Sequence, residues 1–462
     1  MKVKEKSSII LPLAIGVLVG EAVTVSGAFL FITAVALLCI YIIRRSFDDP
    51  AERSFVLGVF LAGLLLRFIL CAAFYFIFEI KGRFYHYYGY AGNCLFGDSA
   101  FASINGLWLA QFWKGLLSPF DIHPTFFEYI NTISPFIYGV FYYIFGYKDL
   151  SAKLIDVILG SATPLFVYLI TKDILSKRSA KIAFILTMFF PSFVLWSITN
   201  LKDAKQIFLI MASLFLLLKI IEKPASLFRA AAFFTVTAAL YLIRAEIATI
   251  FFISLLVGLY FNIPMTFRRK VMVILCAALL MTAVAAFGTG SDPVCLMGKK
   301  VHDILDRLIG QQIGYYRSYG LNYRIYADDL YVRKFHDMRI TDYNITFNEI
   351  FVALFNGYRH FLFAPFPTRI ISFNQLVSLP QTILWYVLFL FSVIGIRFAL
   401  VEKRHRALIP LAFIIIMTSA AALVSGNIGT AFRHRDAVTP FFLIFSAFGI
   451  DRILDKYRKR TW

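Results

Sequence analysis

Charge is what this sequence lacks. Only 16% of its residues are Asp, Glu, Lys or Arg, where a soluble domain carries about a quarter. Acids are the scarcer sign, 27 against 46 bases, for a net charge of +19. A water-facing globule is thereby excluded. Cysteine is sparse as well: there are five. No Cys/His spacing of the zinc-site kind occurs, so a disulfide scaffold and a structural zinc domain are excluded too. There is no internal repeat at fixed period, no low-complexity tract and no Gly/Ser linker, which removes solenoids and tethered soluble modules.

What fills the chain is apolar. Sixty per cent of it is hydrophobic, in repeated runs of the length that crosses a bilayer as helix, about 17 to 25 residues. Backbone groups in lipid must be paired within the segment, so these runs are helices. The pattern predicts an all-α polytopic membrane protein of about 12 transmembrane helices. The spans are expected over 9–25, 27–43, 54–78, 154–171, 180–198, 204–221, 227–243, 247–261, 271–287, 381–400, 407–424 and 438–450.

The bases fix the direction. Lys2, Lys4, Lys6, Arg44, Arg45, Arg53, Lys172, Lys177, Arg178, Lys181, Lys219, Lys223, Arg229, Arg268, Arg269, Lys270, Lys403, Arg404, Arg406 and the basic C-terminus from Arg452 all fall on one side of these spans. By the positive-inside rule that side is cytoplasmic. The charge is therefore loop bias in an inner-membrane protein with both termini inside, and no nucleic-acid partner is expected. The same bias predicts that two further apolar stretches, 126–145 and 345–363, are interfacial helices in two large non-cytoplasmic loops, since counting them as spans would turn basic clusters outward. Glu128, Asn131 and Pro135 in the first, and Asn356, Arg359 and His360 in the second, suit a helix lying in the interface plane. The first span is expected to be an uncleaved anchor, because no small-x-small cleavage site follows it.

The expected organisation is two N-terminal helices (1–53), a catalytic membrane module (54–288) including the outer loop 79–153, a large outer loop (289–380) and C-terminal helices (381–462). The outer loop of about 90 residues is too long for a plain connection. Cys94 and Cys295 both fall in outer segments, where pairing is permitted; Cys39, Cys71 and Cys276 fall in spans.

Candidate chemistry lies in the outer segments. Asp98, in Phe96-Gly97-Asp98-Ser99, stands where a span region meets water and precedes the amphipathic stretch 100–117. A carboxylate there suits a general base that takes a proton from an attacking hydroxyl or amine; it equally suits a helix cap. Asp203 opens the sixth span, as a second acid or a first-turn residue favoured by the helix dipole, with Lys202 beside it. Arg244 and Glu246 lie at the next outer turn, as site residues or as interface charges that snorkel. Arg67 is mid-span, where a charge is costly and faces an interior partner such as Asp156, or a wet cavity. Arg433, His434 and Arg435 run against the charge bias on the outer side, and Arg359 and His360 flank Ala364-Pro365-Phe366-Pro367. Guanidinium groups in such places hold phosphate oxygens bidentately.

Taken in order, these elements resemble the GT-C superfamily of membrane glycosyltransferases, in particular the bacterial branch related to protein O-mannosyltransferases and the aminoarabinose transferase of lipid A. The elements are Gly97-Asp98-Ser99; a Pro-led stretch from His123-Pro124 to Phe145-Gly146-Tyr147; the span opening Lys153-Leu154-Ile155-Asp156; the Pro-aromatic segment from Pro191 to Asp203; Ala364-Pro365-Phe366-Pro367; and Gly429-Thr430-Ala431-Phe432-Arg433-His434-Arg435. The resemblance covers the chain from about Ser54 onward. It implies transfer of a sugar from a polyprenyl-phosphate donor, with inversion, to an acceptor glycan, lipid or protein at the outer face. It also implies Asp98 as base, Asp203 as second acid, Lys202, Arg244, Arg359, Arg433, His434 and Arg435 at the donor phosphate, and Ser99, Glu246 and Arg67 in support. No bound cofactor is implied, and no metal site is predicted. Two positions depart from the family: Ser99 stands where many members carry a second acid, and Lys153 where an Arg-Leu motif is common. An O-antigen polymerase or ligase would instead work through Arg433, His434 and Arg435, and a lipid-linked glycan flippase would need central cavity charges and matched discontinuous helices.

Overall fold

The computed structural model describes residues 27–75, 97–117, 133–222, 226–262, 355, 357–368, 370, 373–424 and 428–458. The expected spans 9–25 and 271–287, most of the outer loop 289–380, and Cys94, Cys276 and Cys295 lie outside these residues. Among the described residues every regular element is helical. In chain order they are α1 (Gly27–Ser46), α2 (Pro50–Phe74), α3 (Gly97–Trp113), α4 (Ser134–Phe145), α5 (Asp149–Ile174), α6 (Lys177–Met188), α7 (Pro191–Ser197), α8 (Lys202–Glu222), α9 (Leu227–Ile243), α10 (Ala245–Asn262), α11 (Phe373–Val401), α12 (Leu408–Val424) and α13 (Ile428–Arg458).

Seven of the described helices are long and apolar enough to cross a membrane, or eight if the bent pair α6 and α7 makes one span. α9 and α10 fall short of that length. The bend corrects the sequence reading, which runs 180–198 as one continuous span. Pro191 starts α7, and the axes of α6 and α7 diverge by 55°. Proline has no N–H to continue the α6 ladder, and its ring disfavours helix at the residue before it. Phe190 is accordingly extended, with ψ of 123°.

The chain divides into two units, Met1–Ile170 with Phe184–Ala245, and Thr171–Ala183 with Glu246–Trp462. In the first unit α4 runs across the ends of four helices. Phe145 packs on Phe31 of α1 at 5.6 Å between ring centroids. Tyr142 reaches the first residue of α5, Tyr138 reaches Lys205 near the start of α8, and the Ile133 N–H donates to Leu242 O at the end of α9. A helix that meets the starts of α1, α5 and α8 and the end of α9 lies along one face of the bundle, where the mixed composition of this stretch places it. At the opposite ends, Arg53 donates to Phe47 O, Tyr168 donates to Glu52, and Arg229 donates to Lys219 O. The unit thus gathers Arg53, Lys219 and Arg229 at the end opposite α4.

In the second unit α11 and α13 lie against each other through glycine. A Cβ on Gly395 would stand 1.9 Å from Phe445 O, and one on Gly449 2.2 Å from Phe391 O. Small residues let backbones approach where lipid supplies no hydrophobic drive between helices. The last helix is longer than the sequence suggests. The span expected at 438–450 extends over Ile428–Arg458, so Arg433, His434 and Arg435 stand on helical turns rather than in a loop. Polar residues within the window mask the helix from hydropathy, while the ladder continues through them.

Candidate active site

The polar interior of the first unit is built on one face of α5. Asp149, Lys153 and Asp156 recur at helical spacing, four then three residues apart, so they share a side of the helix. All three are buried. A charge cannot be left alone there, and each has found a partner.

Asp149 gathers four. The Ser103 hydroxyl donates to its Oδ1 at 2.7 Å, the Tyr142 hydroxyl stands 3.1 Å from the same oxygen, Asn200 Nδ2 donates at 3.3 Å, and Lys153 Nζ lies 3.1 Å from Oδ2. Asp156 is held by α8 and α4. Lys205 Nζ lies 2.7 Å from Oδ1 and 2.8 Å from Oδ2, and the Tyr138 hydroxyl donates to Oδ2 at 2.7 Å. Lys205 also donates to the Tyr138 oxygen at 2.6 Å and lies over its ring. Burial, with Asp156 next to it, raises the Tyr138 phenol well above its usual range, and burial, with Asp149 next to it, does the same for Tyr142. Both hydroxyls therefore keep their protons and act as donors.

Asp203, in the first turn of α8, is buried, and Arg244 Nη2 stands 3.7 Å from its Oδ1. That separation is an ion pair but too long for a hydrogen bond. The turn before α8 carries Asn200 at φ +53°, a left-handed conformation that asparagine tolerates better than most residues. Its side chain is fully buried, with Nδ2 on Asp149 and the Tyr138 hydroxyl 3.4 Å from its backbone oxygen. The amide orientation follows from chemistry: turned over, Oδ1 would face the carboxylate.

Of the site residues expected from sequence, Asp98, Ser99, Lys202, Asp203 and Arg244 are carried by the first unit, and Glu246, Arg359, Arg433 and His434 by the second. Asp98 is the second residue of α3; its side chain lies outside the described set. Ser99, one turn before Ser103, is buried, and its hydroxyl has no hydrogen-bond partner. Lys202 opens α8 beside Asp203. Glu246, in the first turn of α10, and Arg359 are exposed. The Arg359 guanidinium lies over the Phe366 ring at 5.5 Å. Arg433 and His434 are half-buried on α13.

Two expectations are corrected. Arg67 does not pair with Asp156, which Lys205 and Tyr138 occupy. Fully buried, Arg67 donates through Nε to Ser197 Oγ at 3.1 Å and through Nη1 to Gly63 O and Met188 Sδ, both at 3.3 Å; its Nη2 has no partner. It joins both sides of the α6–α7 bend. Arg435 is not presented to a phosphate. It is 2% exposed, its Nη1 donates to Leu362 O at 3.0 Å and Ala364 O at 2.9 Å, and its guanidinium lies over the Trp385 and Phe432 rings. Trp385 Nε1 also donates to Leu362 O, and Tyr386 to Phe363 O. The proline turn at Ala364–Pro367 is thereby tied to α11 and α13.

Lys205, Tyr138, Tyr142, Ser103 and Asn200 escaped the sequence reading. The signal was present for some of them: Tyr138 and Tyr142 are four apart on one short helix, opposite the acidic face of α5. Nothing local marks Ser103 or Asn200. Among the described residues no group of three or more His, Cys, Asp or Glu is placed to hold a metal ion.

Residues 132–288 match the family described as dolichyl-phosphate-mannose-protein mannosyltransferase. The solved archaeal oligosaccharyltransferase AglB from Archaeoglobus fulgidus, in complex with an inhibitory peptide and a dolichol-phosphate, is similar at 16% identity and a TM-score of 0.45, over 89% of this chain and 52% of that one. The apo oligosaccharyltransferase of Archaeoglobus fulgidus is similar at 16% identity and 0.42, over 87% and 52%. This chain spans about half the length of those proteins. Among curated proteins none matches it significantly.

Proposed function

We propose that this chain, whose residues 132–288 are of the GT-C membrane glycosyltransferase type, transfers a sugar from a polyprenyl-phosphate donor to an acceptor at the non-cytoplasmic face, with inversion. The acceptor hydroxyl or amine attacks the anomeric carbon and gives its proton to Asp98. The bond from that carbon to the phosphate oxygen breaks, and its electron pair leaves with the polyprenyl phosphate. Arg244, oriented by Asp203, and Lys202 meet the charge that develops on the phosphate.

One observation carries this reading. The helix that begins at Gly97-Asp98 and the turn that leads into Asp203 are joined through a single buried carboxylate, Asp149, at the face bridged by α4. Two candidate acids far apart in sequence are thus carried on elements tied to one residue. Preorganised charge of this kind is the largest lever on a transfer that develops charge on its leaving group.

The test is donor turnover by the purified chain, read as free polyprenyl phosphate released from polyprenyl-phosphate-linked mannose or aminoarabinose. Asp98→Asn and Asp203→Asn are expected to lower turnover by about 100-fold or more, the loss typical of a removed general base or charge stabiliser. Full activity in Asp98→Asn, with loss in Arg433→Ala, would select the polymerase or ligase chemistry. The break between α6 and α7 is the feature that favours transport; no donor turnover, with vectorial movement of the lipid-linked sugar, would select that.

A further inference from the structure

Asp149 is bonded or ion-paired to four side chains, and they lead to different elements. Ser103 brings α3, Tyr142 brings α4, Lys153 belongs to α5 itself, and Asn200 brings the α7–α8 turn. The α3–α4 pair is antiparallel: Ser103 faces Tyr142, and a Cβ on Gly106 would meet Tyr138 Cβ at 2.7 Å and Gly139 N at 3.0 Å. The N-terminal end of α3 therefore adjoins the α4–α5 turn, and Asp98 sits five residues before Ser103 on that end. On the other side, Asn200 is three residues before Asp203.

We propose that Asp149 is the positioning residue of the site: one ionised carboxylate that fixes the start of α3, which carries Asp98, against the turn that carries Asp203. This rests on the glycosyltransferase reading for its kinetic consequence and on geometry alone for its structural one. Ionisation is needed. The carboxylate accepts from Ser103, Tyr142 and Asn200 at Oδ1 while Lys153 balances it at Oδ2; a carboxamide that kept its oxygen toward those three donors would turn its NH2 to the Lys153 ammonium and leave that charge unbalanced. Charge-assisted bonds of this kind are stronger than neutral ones, and hence hold the two elements in register. Registry is what a single-displacement transfer requires, because reacting groups misplaced by about 1 Å lose on the order of 100-fold in rate.

The test has two arms. The first needs no substrate. In the full chain in lipid nanodiscs, Asp149→Asn is expected to raise amide hydrogen exchange at 97–113 and at 198–203 by about tenfold or more while the interior of α8 is unchanged, because the shared anchor loses its charge and turns a donor toward Lys153. Unchanged exchange at both segments overturns the proposal. So does equal loosening throughout the unit, which would mark Asp149 as a general fold residue. The second arm is kinetic. With polyprenyl-phosphate mannose, Asp149→Asn is expected to lower kcat by about 10- to 100-fold with donor KM within about twofold, and Asp149→Glu to recover part of it. Asp149→Asn with Ser103→Ala is expected to be no slower than Asp149→Asn alone, since both cut the same link; multiplicative losses overturn it. If the wild type turns over no donor, the functional reading falls while the exchange arm still decides the role of Asp149. If Asp149→Asn does not fold, Ser103→Ala supplies the α3 half of the exchange measurement, and no loosening there overturns the proposal.

Discussion

Lys205 Nζ and Asp156 Oδ1 stand 2.7 Å apart with side chains 2% and 0% exposed, although the two residues are 49 apart in the chain. Neither charge has access to water, and each makes the other tolerable. The desolvation of two such ions is a large cost, offset only when both are present and hydrogen-bonded. Tyr138 completes the set by donating to the same carboxylate.

Lys205→Met is therefore expected to lower stability by about 3–5 kcal/mol, because it strands a buried carboxylate. Lys205→Met combined with Asp156→Leu is expected to recover most of the loss. Thermal unfolding of the purified protein in one detergent measures both. A double variant less stable than the single one would show that the pair contributes more than mutual neutralisation.

Arg67 behaves oppositely, because among the described residues it faces no carboxylate. Arg67→Met removes an uncompensated cation and leaves no buried counter-charge behind. The melting temperature is expected to hold or rise, whereas removal of one member of a true ion pair would lower it. Ser197 keeps its own bond to Val194 O at 2.7 Å in that variant. A fall of several degrees would show that the α6–α7 bend depends on the guanidinium.

Asn200 separates conformation from contact. Asn200→Gly keeps the φ of +53° at no steric cost and loses only the bond to Asp149. Asn200→Ala loses the bond and adds strain of about 1–2 kcal/mol for a left-handed residue. Alanine is expected to be the less stable of the two by roughly that amount in thermal unfolding. Equal melting temperatures would mean that the turn relaxes.

The α11–α13 contact leaves no room for side chains at Gly395 and Gly449. Gly395→Ala and Gly449→Ala each place a methyl against a backbone oxygen and are expected to cost about 1–3 kcal/mol, the usual range for overpacking. Gly58→Ala is the matched control: nothing lies within 4 Å of its Cβ position, and helix propensity favours alanine there. Unfolding midpoints of the three variants rank the effects.

Some of this was written in the linear sequence. The shortage of charge and the apolar runs dictate a helical membrane protein, because no other backbone arrangement satisfies its own polar groups in lipid. The basic clusters mark one end of the first unit, where Arg53, Lys219 and Arg229 lie opposite α4. The stretch 126–145 was legible as a helix that is not a span, and its described part, α4, is a 12-residue helix shorter than the spans. The partners of the buried charges were not. Periodicity places Asp149, Lys153 and Asp156 on one side of α5, but which distant helix answers them depends on how α4 and α8 pack. Arg67 shows the limit: a mid-span cation calls for a partner, and sequence nominated Asp156, yet packing gave that carboxylate to Lys205. Arg435 shows it again, since a base that looks available on an outer segment is folded under a proline turn by the extension of α13. Burial and backbone polarity are properties of each segment and can be read one at a time; the pairing of charges belongs to the packed whole, and only the tertiary structure decides it.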